Sequence, residues 1–315
     1  MINIKKIIIL LLVIVLGVWC GNKTSFINGH KIDKKSFAIR VEVPKKYVDY
    51  ELLSLINFTS DLFKSNGYNL KGITYGGNMY PQKLDNAYVN IFVRGYAQGF
   101  DKRVSNNRFN IFLFHKTQNI YFEEFRNYDY YISIQPEIIN IMNILGVKNV
   151  SKLPLGAIKR KILNPEYKKN VLYLYEFKDK DIKNILNKIG KTKIYDAFDF
   201  AQLTSDEREE ELKKAKIVLY VANLTAQKDA PYIPYAVLDI ASYGRPVITN
   251  FYKYNNKNNE FLDIIETYSD IISLESKLNN MLKLSDKDRE EHAKKIRKLL
   301  HKQNYKSDIF SKIIK

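Results

Sequence analysis

The side chains able to do chemistry in this chain are few. Asp239 lies inside an apolar helical stretch, Gly244, Arg245 and Pro246 follow it as a turn, and Asn223, Tyr232 and Tyr235 stand ahead of it. A helix start with free backbone N–H groups offers an anion a site that needs no metal, and a carboxylate within the same helix can accept hydrogen bonds from hydroxyl groups. His115 ends the apolar run NIFLF. A catalytic or acceptor-binding group at that position would face a cleft, and a structural histidine is also at home there. Asp179-Lys180-Asp181 imitates a metal-binding Asp-x-Asp but opens a helix, where acids cap and complement the dipole. Gly76 and Gly77 suit a plain turn or the close approach of a ligand. No Gly-x-Gly-x-x-Gly, Walker motif, zinc-spaced Cys/His set or Ser-His-Asp candidate is present, and with one Cys and four scattered His no metal site is expected.

These residues need elements to position them. Ile217 to Asn250 reads as a buried strand (Ile217–Val221), a long loop stiffened by Pro231 and Pro234, a helix (Tyr235–Tyr243), a Gly-Arg-Pro turn and a second strand (Val247–Thr249). That is a parallel β-α-β crossover. Ligands in open α/β sheets bind outside the carboxyl ends of the strands, and the loop Ala222–Pro234 leaves one such end. It is about twice the usual connection of roughly 2 to 6 residues, which gives it a functional rather than a connecting role. Upstream, Phe37–Val43 alternates as a strand and Val48–Lys64 carries apolar residues at helical spacing up to Gly67. Strands follow at Ala87–Val93, Phe109–Phe114 and Tyr130–Ser133, then a helix over Glu137–Leu145 and an extended run Val150–Gly156. Lys159–Lys169, charged and broken by Pro165, marks a boundary. Beyond it come a strand (Val171–Tyr175), a helix (Asp179–Ile189), a strand (Lys193–Tyr195) and a helix (Thr204–Ala215) with a Thr204/Glu207 capping box. After the crossover a short helix (Asn259–Ile265), a short strand (Ile271–Ser273) and two helices (Leu274–Leu282, Ser285–Leu300) are expected. The last is highly charged and suited to the surface or to packing back across the first domain. Alternating strands and helices of these lengths predict α/β architecture with parallel sheets. Residues 36–158 are expected as a first parallel-sheet domain of four or five strands and residues 170–315 as a second, with residues 1–35 preceding them.

At 315 residues with 45% hydrophobic content, the chain is long enough for a packed core in each of two domains. Its formal charge of +17 invites a nucleic-acid reading. Only ten of the 51 basic residues are Arg, none stands in a run longer than three, and no recognition motif or RGG-type tail is visible. No nucleic-acid partner is expected; a positive face toward anionic lipid remains open. Lys5 and Lys6 precede an apolar run from Ile7 to Val18, continued by Trp19 and Cys20. The run is shorter than a full span of about 20 residues and suits either a short membrane anchor or a cleaved signal peptide. An anchored protein would sit at the inner membrane, a cleaved one in the periplasm or at the cell surface. Cys20, the only cysteine, allows no disulfide, and Trp19 before it is too large for a lipid-attachment motif.

The order KKAKIVLYVA, loop, VLDIASYGRPVITN, FLDII and a run of closing helices resembles the carboxyl domain of group-1 glycosyltransferases of the GT-B fold. The family's helix, roughly Leu-Glu-Ala-x-Ala-x-Gly-x-Pro-Val, matches Leu238 through Val247. The segment YDYYISIQPEIINIMNILGVKNVSKLPLG, Tyr128 to Gly156, is similar to the family's link between domains. The resemblance covers roughly Phe37 to the C-terminus. It departs at two positions: Pro231 stands where the family has an acidic residue eight positions before Asp239, and Asp239 is shorter than the family's Glu. The resemblance implies two Rossmann-like domains facing across a cleft. It implies transfer of a sugar from a nucleotide-diphosphate donor, a substrate rather than a cofactor, to a bacterial surface glycan or lipid acceptor. Asn223, Tyr232, Tyr235, Asp239, Gly244 and Arg245 would then lie on the donor side, with Arg245 and the helix N–H groups near the diphosphate. Asp239 and His115 are the catalytic candidates. An exported, non-catalytic protein that keeps the cleft to bind a glycan or an anion is the alternative.

Overall fold

The structure, a computed structural model, describes residues 33–76, 87–94, 108–115, 128–223, 233–250, 265–302 and 310–311. The first sheet begins with β1 (Ser36–Val41), buried on both faces as parallel strands are. A 3-10 turn, Lys45–Tyr47, leads to α1 (Tyr50–Ser65), whose start is capped by Asp49 accepting from the Leu52 N–H. Then come β2 (Asn69–Tyr75), β3 (Val89–Arg94), β4 (Phe109–Phe114), β5 (Tyr130–Ser133), α2 (Pro136–Ile144) and β6 (Val150–Lys152). All six strands are parallel, in the order β2-β1-β3-β4-β5-β6.

The second sheet repeats the plan. Its elements are β7 (Lys169–Tyr175), α3 (Lys180–Ile189), β8 (Thr192–Asp196), α4 (Ala197–Gln202), α5 (Ser205–Lys214), β9 (Ala215–Val221), α6 (Tyr235–Ser242), β10 (Val247–Thr249) and β11 (Glu266–Thr267). The five strands are parallel in the order β11-β10-β9-β7-β8. Helices α7 (Ile271–Lys283) and α8 (Asp286–Lys302) follow. In each sheet the first strand has the second on one side and the third on the other, which creates a topological switch point at the β1/β3 and β7/β9 pairs.

The two-domain, parallel α/β architecture expected from the sequence is present, and β9, α6 and β10 form the expected crossover. Four details differ. The first sheet has six strands because β2, NLKGITY, sits at its edge, where partial exposure relaxes the need for an apolar run. Helix α4, started by Asp196 accepting from the Phe198 N–H, was too short to show a period. The two-residue β11 was likewise unforeseen. Ile271–Ser273, expected as a strand, is the first turn of α7, because Asp270 and Ser273 close a capping box around it. The expected helix Asn259–Ile265 lies almost entirely outside the described residues, as does the apolar run Ile7–Val18. Among the described residues no helix is long and apolar enough to cross a membrane.

One core runs through both domains. Helix α1 is buried on almost every side, from Tyr50 and Leu52 through Phe58 to Phe63, and every residue of α6 is buried. Burial all round marks helices enclosed by packing on every face. Phe58 of α1 packs against Tyr235 of α6 as a tilted pair with ring centroids 5.3 Å apart, and Tyr50 meets Phe200 of α4 edge-on at 4.9 Å. The last part of the chain returns to the first domain, where Phe310 packs on Phe63 at 5.0 Å and Tyr68 at 5.8 Å. Phe310→Ala should therefore lower stability by about 3 kcal/mol, the usual cost of deleting a buried aromatic. A denaturation midpoint unchanged from the wild type would show that this return contact carries no weight.

Candidate functional site

Helices α1 and α6 each start beyond the carboxyl end of a parallel strand, so their amino ends meet at the junction of the two domains. The first N–H groups of a helix have no partner inside it. In α6 the N-cap is Pro234, which offers no side-chain acceptor. The cap comes instead from the other domain. Glu51 of α1 accepts the Tyr235 N–H at 3.0 Å through Oε1 and the Ala236 N–H at 2.8 Å through Oε2, and it is fully buried. The partial positive charge of the helix end stabilises that carboxylate. The anion position at the start of α6 is thus held by a side chain of the protein itself.

One turn further on, the buried Asp239 is held between two segments. Its Oδ2 accepts the Tyr50 hydroxyl at 2.9 Å, and its Oδ1 accepts Arg160 Nε at 3.0 Å. Arg160 also lies over the Tyr243 ring at 4.9 Å. Burial alone would pull the Arg160 guanidinium down, but Asp239 outweighs it and leaves the group above its ordinary value. Burial pushes the Tyr50 phenol well up, and Asp239 adds to that. Asp239 therefore joins α1, the interdomain linker and α6. Tyr235 adds a further tie by donating its hydroxyl to the Pro154 carbonyl at 2.9 Å.

Gly244 has φ +76°, the left-handed turn that ends α6, and a Cβ there would meet Ile162 only at an ordinary 3.7 Å. The need for glycine is thus in the backbone. Arg245, also buried, turns toward the linker: it donates to the Leu163 carbonyl at 3.1 Å and lies 5.9 Å from the Tyr167 ring. The α8 side chain Arg297 donates to the Ser242 carbonyl at 2.9 Å, placing a cation at the C-terminus of α6, and also to the Arg160 carbonyl.

The β7/β9 switch point holds a residue that sequence reasoning passed over. Glu176, at the carboxyl end of β7, accepts the Tyr220 hydroxyl at 2.6 Å and the Asn223 N–H at 3.0 Å. Asn250, just past β10, pairs with both the N–H and the carbonyl of Ala222 at 2.9 Å each, fixing the exit from β9. Burial pushes the Tyr220 phenol well up, helped by Glu176, Glu51 and Asp49. The junction is accordingly acidic, with half-buried Glu176 and exposed Asn223 on its rim. A carboxylate at a strand's carboxyl end beside a switch point can accept hydrogen bonds from ribose or sugar hydroxyls. The signal was present: Glu176 directly follows the apolar strand VLYLY.

Of the residues singled out from sequence, Tyr235, Asp239, Gly244 and Arg245 share α6 and its exit, and Asn223 stands at the exit from β9. Tyr232 and Pro231 lie outside the described residues. His115 directly follows β4, two strands along the first sheet from β1, and is fully buried. Asp179 caps α3 by accepting from the Asp181 and Ile182 N–H groups. Among the described residues no cluster of three metal-ligating side chains occurs.

No protein-family model matches the chain, and no curated protein sequence does either. Solved structures do match. An alpha-glucosyltransferase in complex with UDP and a 13-mer DNA containing a central A:G mismatch aligns with TM-score 0.59 and 11% identity, over 89% of this chain and 100% of that one. An alpha-glucosyltransferase structure with UDP aligns with TM-score 0.58 and 11% identity, over the same shares of each chain. The wall teichoic acid polymerase TagF matches at 13% identity over 98% of this chain and 95% of that one, with a TM-score of only 0.42. The chain has the GT-B fold. In GT-B terms, α1 belongs to the first domain, α6 to the second, and the junction built on Glu51 and Asp239 lies between them.

Two outcomes follow from this geometry. Asp239→Ala strands the largely buried Arg160 and should cost about 3 kcal/mol, as breaking buried ion pairs does, so a lost ligand response in that variant must be read beside its melting curve. The raised Tyr50 and Tyr220 phenols stay protonated in the folded chain, whereas unfolded tyrosines ionise near 10.0. Their contribution is complete below that pH and lost as pH rises above it. Tyr50→Phe should make the alkaline loss of stability shallower, while removing about 1.5–3 kcal/mol at neutral pH with the hydrogen bond to Asp239. Equal alkaline slopes for variant and wild type in denaturant titrations would contradict this.

Proposed function

We propose that the protein transfers a glycosyl group from a nucleotide-diphosphate sugar to a glycan or lipid acceptor of a bacterial cell surface. The observation that carries this reading is the convergence, in a GT-B fold, of two helix amino ends and the β7/β9 switch point at one junction. The donor would lie on the second sheet's carboxyl edge, its ribose or sugar hydroxyls against Glu176 and Asn223. In the reaction an acceptor hydroxyl oxygen bonds to the anomeric carbon, the bond from that carbon to the diphosphate oxygen breaks, and the nucleoside diphosphate leaves with the electron pair. The acceptor proton passes to a base, for which His115 is the candidate read from the sequence, although its ring is fully buried in this structure. Catalysis of this kind is positioning plus stabilisation of the leaving diphosphate by N–H groups and cations, with no metal required. The UDP of the alpha-glucosyltransferase complexes agrees with a nucleotide donor. Their DNA is not carried over, because the basic residues of this chain are dispersed. The apolar run Ile7–Val18 would hold the protein at the inner membrane.

One observation favours a second reading, a binder that keeps the cleft without turnover. The α6 amides, the position expected for the donor diphosphate, are occupied by the buried Glu51 carboxylate. A transferase must release them when the diphosphate arrives. Thermal shift with UDP, CDP, GDP and their sugar conjugates separates the readings. Saturating donor at about 100-fold over its Kd should add roughly 2.7 kcal/mol of stability, and Glu176→Gln should weaken that response. If neither the wild type nor Glu51→Ala is stabilised by any nucleotide diphosphate, the transferase reading fails and the binder remains.

A further inference from the structure

We propose that the amino edge of the first sheet is a docking face for an anionic lipid bilayer. This inference rests on a surface remote from the junction and does not depend on the transferase reading. In a parallel sheet every strand enters at one edge and leaves at the other, so the edge where β1 to β6 begin lies opposite the end where α1 starts.

Three features share that amino edge. Helix α2 runs back from the carboxyl end of β5 to the start of β6, so its last turn lies there. That turn presents Ile141 at 42% exposure, Ile144 at 84% and Leu145 at 42%, while Ile138 and Met142 on its other side are buried. Gly146 ends the helix with φ +77°, and exposed Lys148 follows. The chain enters β1 at the same edge through exposed Lys34 and Lys35, and the last turn of α1 adds exposed Lys64. Finally, Phe310 packs on Phe63 and Tyr68 where α1 ends and β2 begins, which brings this late segment of the chain to the same edge.

Charge and tethering identify the occupant. Among the described residues near this edge Asp33 is exposed and caps the Lys35 N–H, while Asp61 is half-buried near the end of α1 and Asp129 is half-buried against Asn110. Among the described residues exposed lysines therefore outnumber exposed acids around an apolar knuckle, the pattern that inserts at the headgroup level of anionic membranes. A single weak signal binds lipid only marginally and a second makes it stable. The run Ile7–Val18 lies upstream of Lys34 in the sequence and can supply that second signal. From β1 to β6 is four strand spacings, roughly 19 Å at 4.8 Å each, so the lysines at β1 and the knuckle at β6 can rest on one plane. Among the described residues the exposed Ile272 and Phe177 of the second domain lie on separate elements, in the first turn of α7 and just after β7. With six residues in β1, the junction would stand roughly 20 Å from the bilayer, which suits an acceptor glycan reaching away from the surface.

The test uses the full chain and vesicles of phosphatidylcholine with or without phosphatidylglycerol. In a Cys20→Ser background, Ile144→Cys carries an environment-sensitive fluorophore. Docking predicts a blue shift and quenching by bromine-labelled lipid that appear with phosphatidylglycerol and are at least tenfold weaker without it. Ile144→Asp and the triple variant Lys34→Glu, Lys35→Glu, Lys148→Glu should each reduce co-sedimentation with anionic vesicles several-fold, without moving the melting temperature. A probe at position 144 that stays in water while the chain binds vesicles would overturn the proposal. So would equal binding by Ile144→Asp and wild type, or a dimer in sedimentation velocity that Ile144→Asp dissolves, which would assign the knuckle to a second copy.

Discussion

The structure depends on how α6 is capped. This eight-residue helix is buried along its whole length, and Pro234 gives its first amides no local acceptor. Unpaired amides in a water-free interior cost on the order of 1–3 kcal/mol each, so an acceptor has to come from elsewhere, and Glu51 of the other domain supplies it. Tyr50, its neighbour in sequence, reaches Asp239 one turn along the same helix. Two consecutive residues of α1 thus set the approach of both domains, and the packing of Phe58 on Tyr235 fills in behind them. The linker is drawn in by Arg160 on Asp239 and by Arg245 on the Leu163 carbonyl.

That arrangement gives the junction its chemical character. Asp49, Glu51, Glu176 and Asp239 gather there, while Arg160 is paired with Asp239 and Arg245 faces the linker. Hydroxyl groups are well served by such a site, and a diphosphate has to compete with Glu51 for the α6 amides. The GT-B fold and its acidic junction therefore make opposing demands on a donor, and the balance between them separates turnover from binding. A shared core across both domains also opposes wide opening, since domain motion is expected mainly where the interface is small and polar.

Much of the fold was legible because its signals are local. Thr204 and Glu207 form the expected capping box, and the helix ends at Gly67, Gly146, Gly190 and Gly244 take the positive φ that a residue without Cβ adopts freely. The crossover around α6 was readable from apolar runs of strand and helix length. Edge strand β2 was not, since half-exposed strands lose the apolar pattern that betrays buried ones. Ile271–Ser273 looked like a strand by residue type, and the capping box at Asp270 overrode that preference.

By itself the sequence determined the two α/β domains, their order along the chain and the polar residues carried by α6 and its exit, because periodicity, caps and turns act over a few positions. Only the tertiary structure decided what those residues touch. Tyr50 and Asp239 are 189 positions apart, Glu51 and Tyr235 184, and Arg160 and Asp239 79. A carboxylate in a helix has the same local signature whether it meets solvent, a ligand or a buried arginine. What separates these cases is desolvation and partner geometry, and both arise only when distant elements pack.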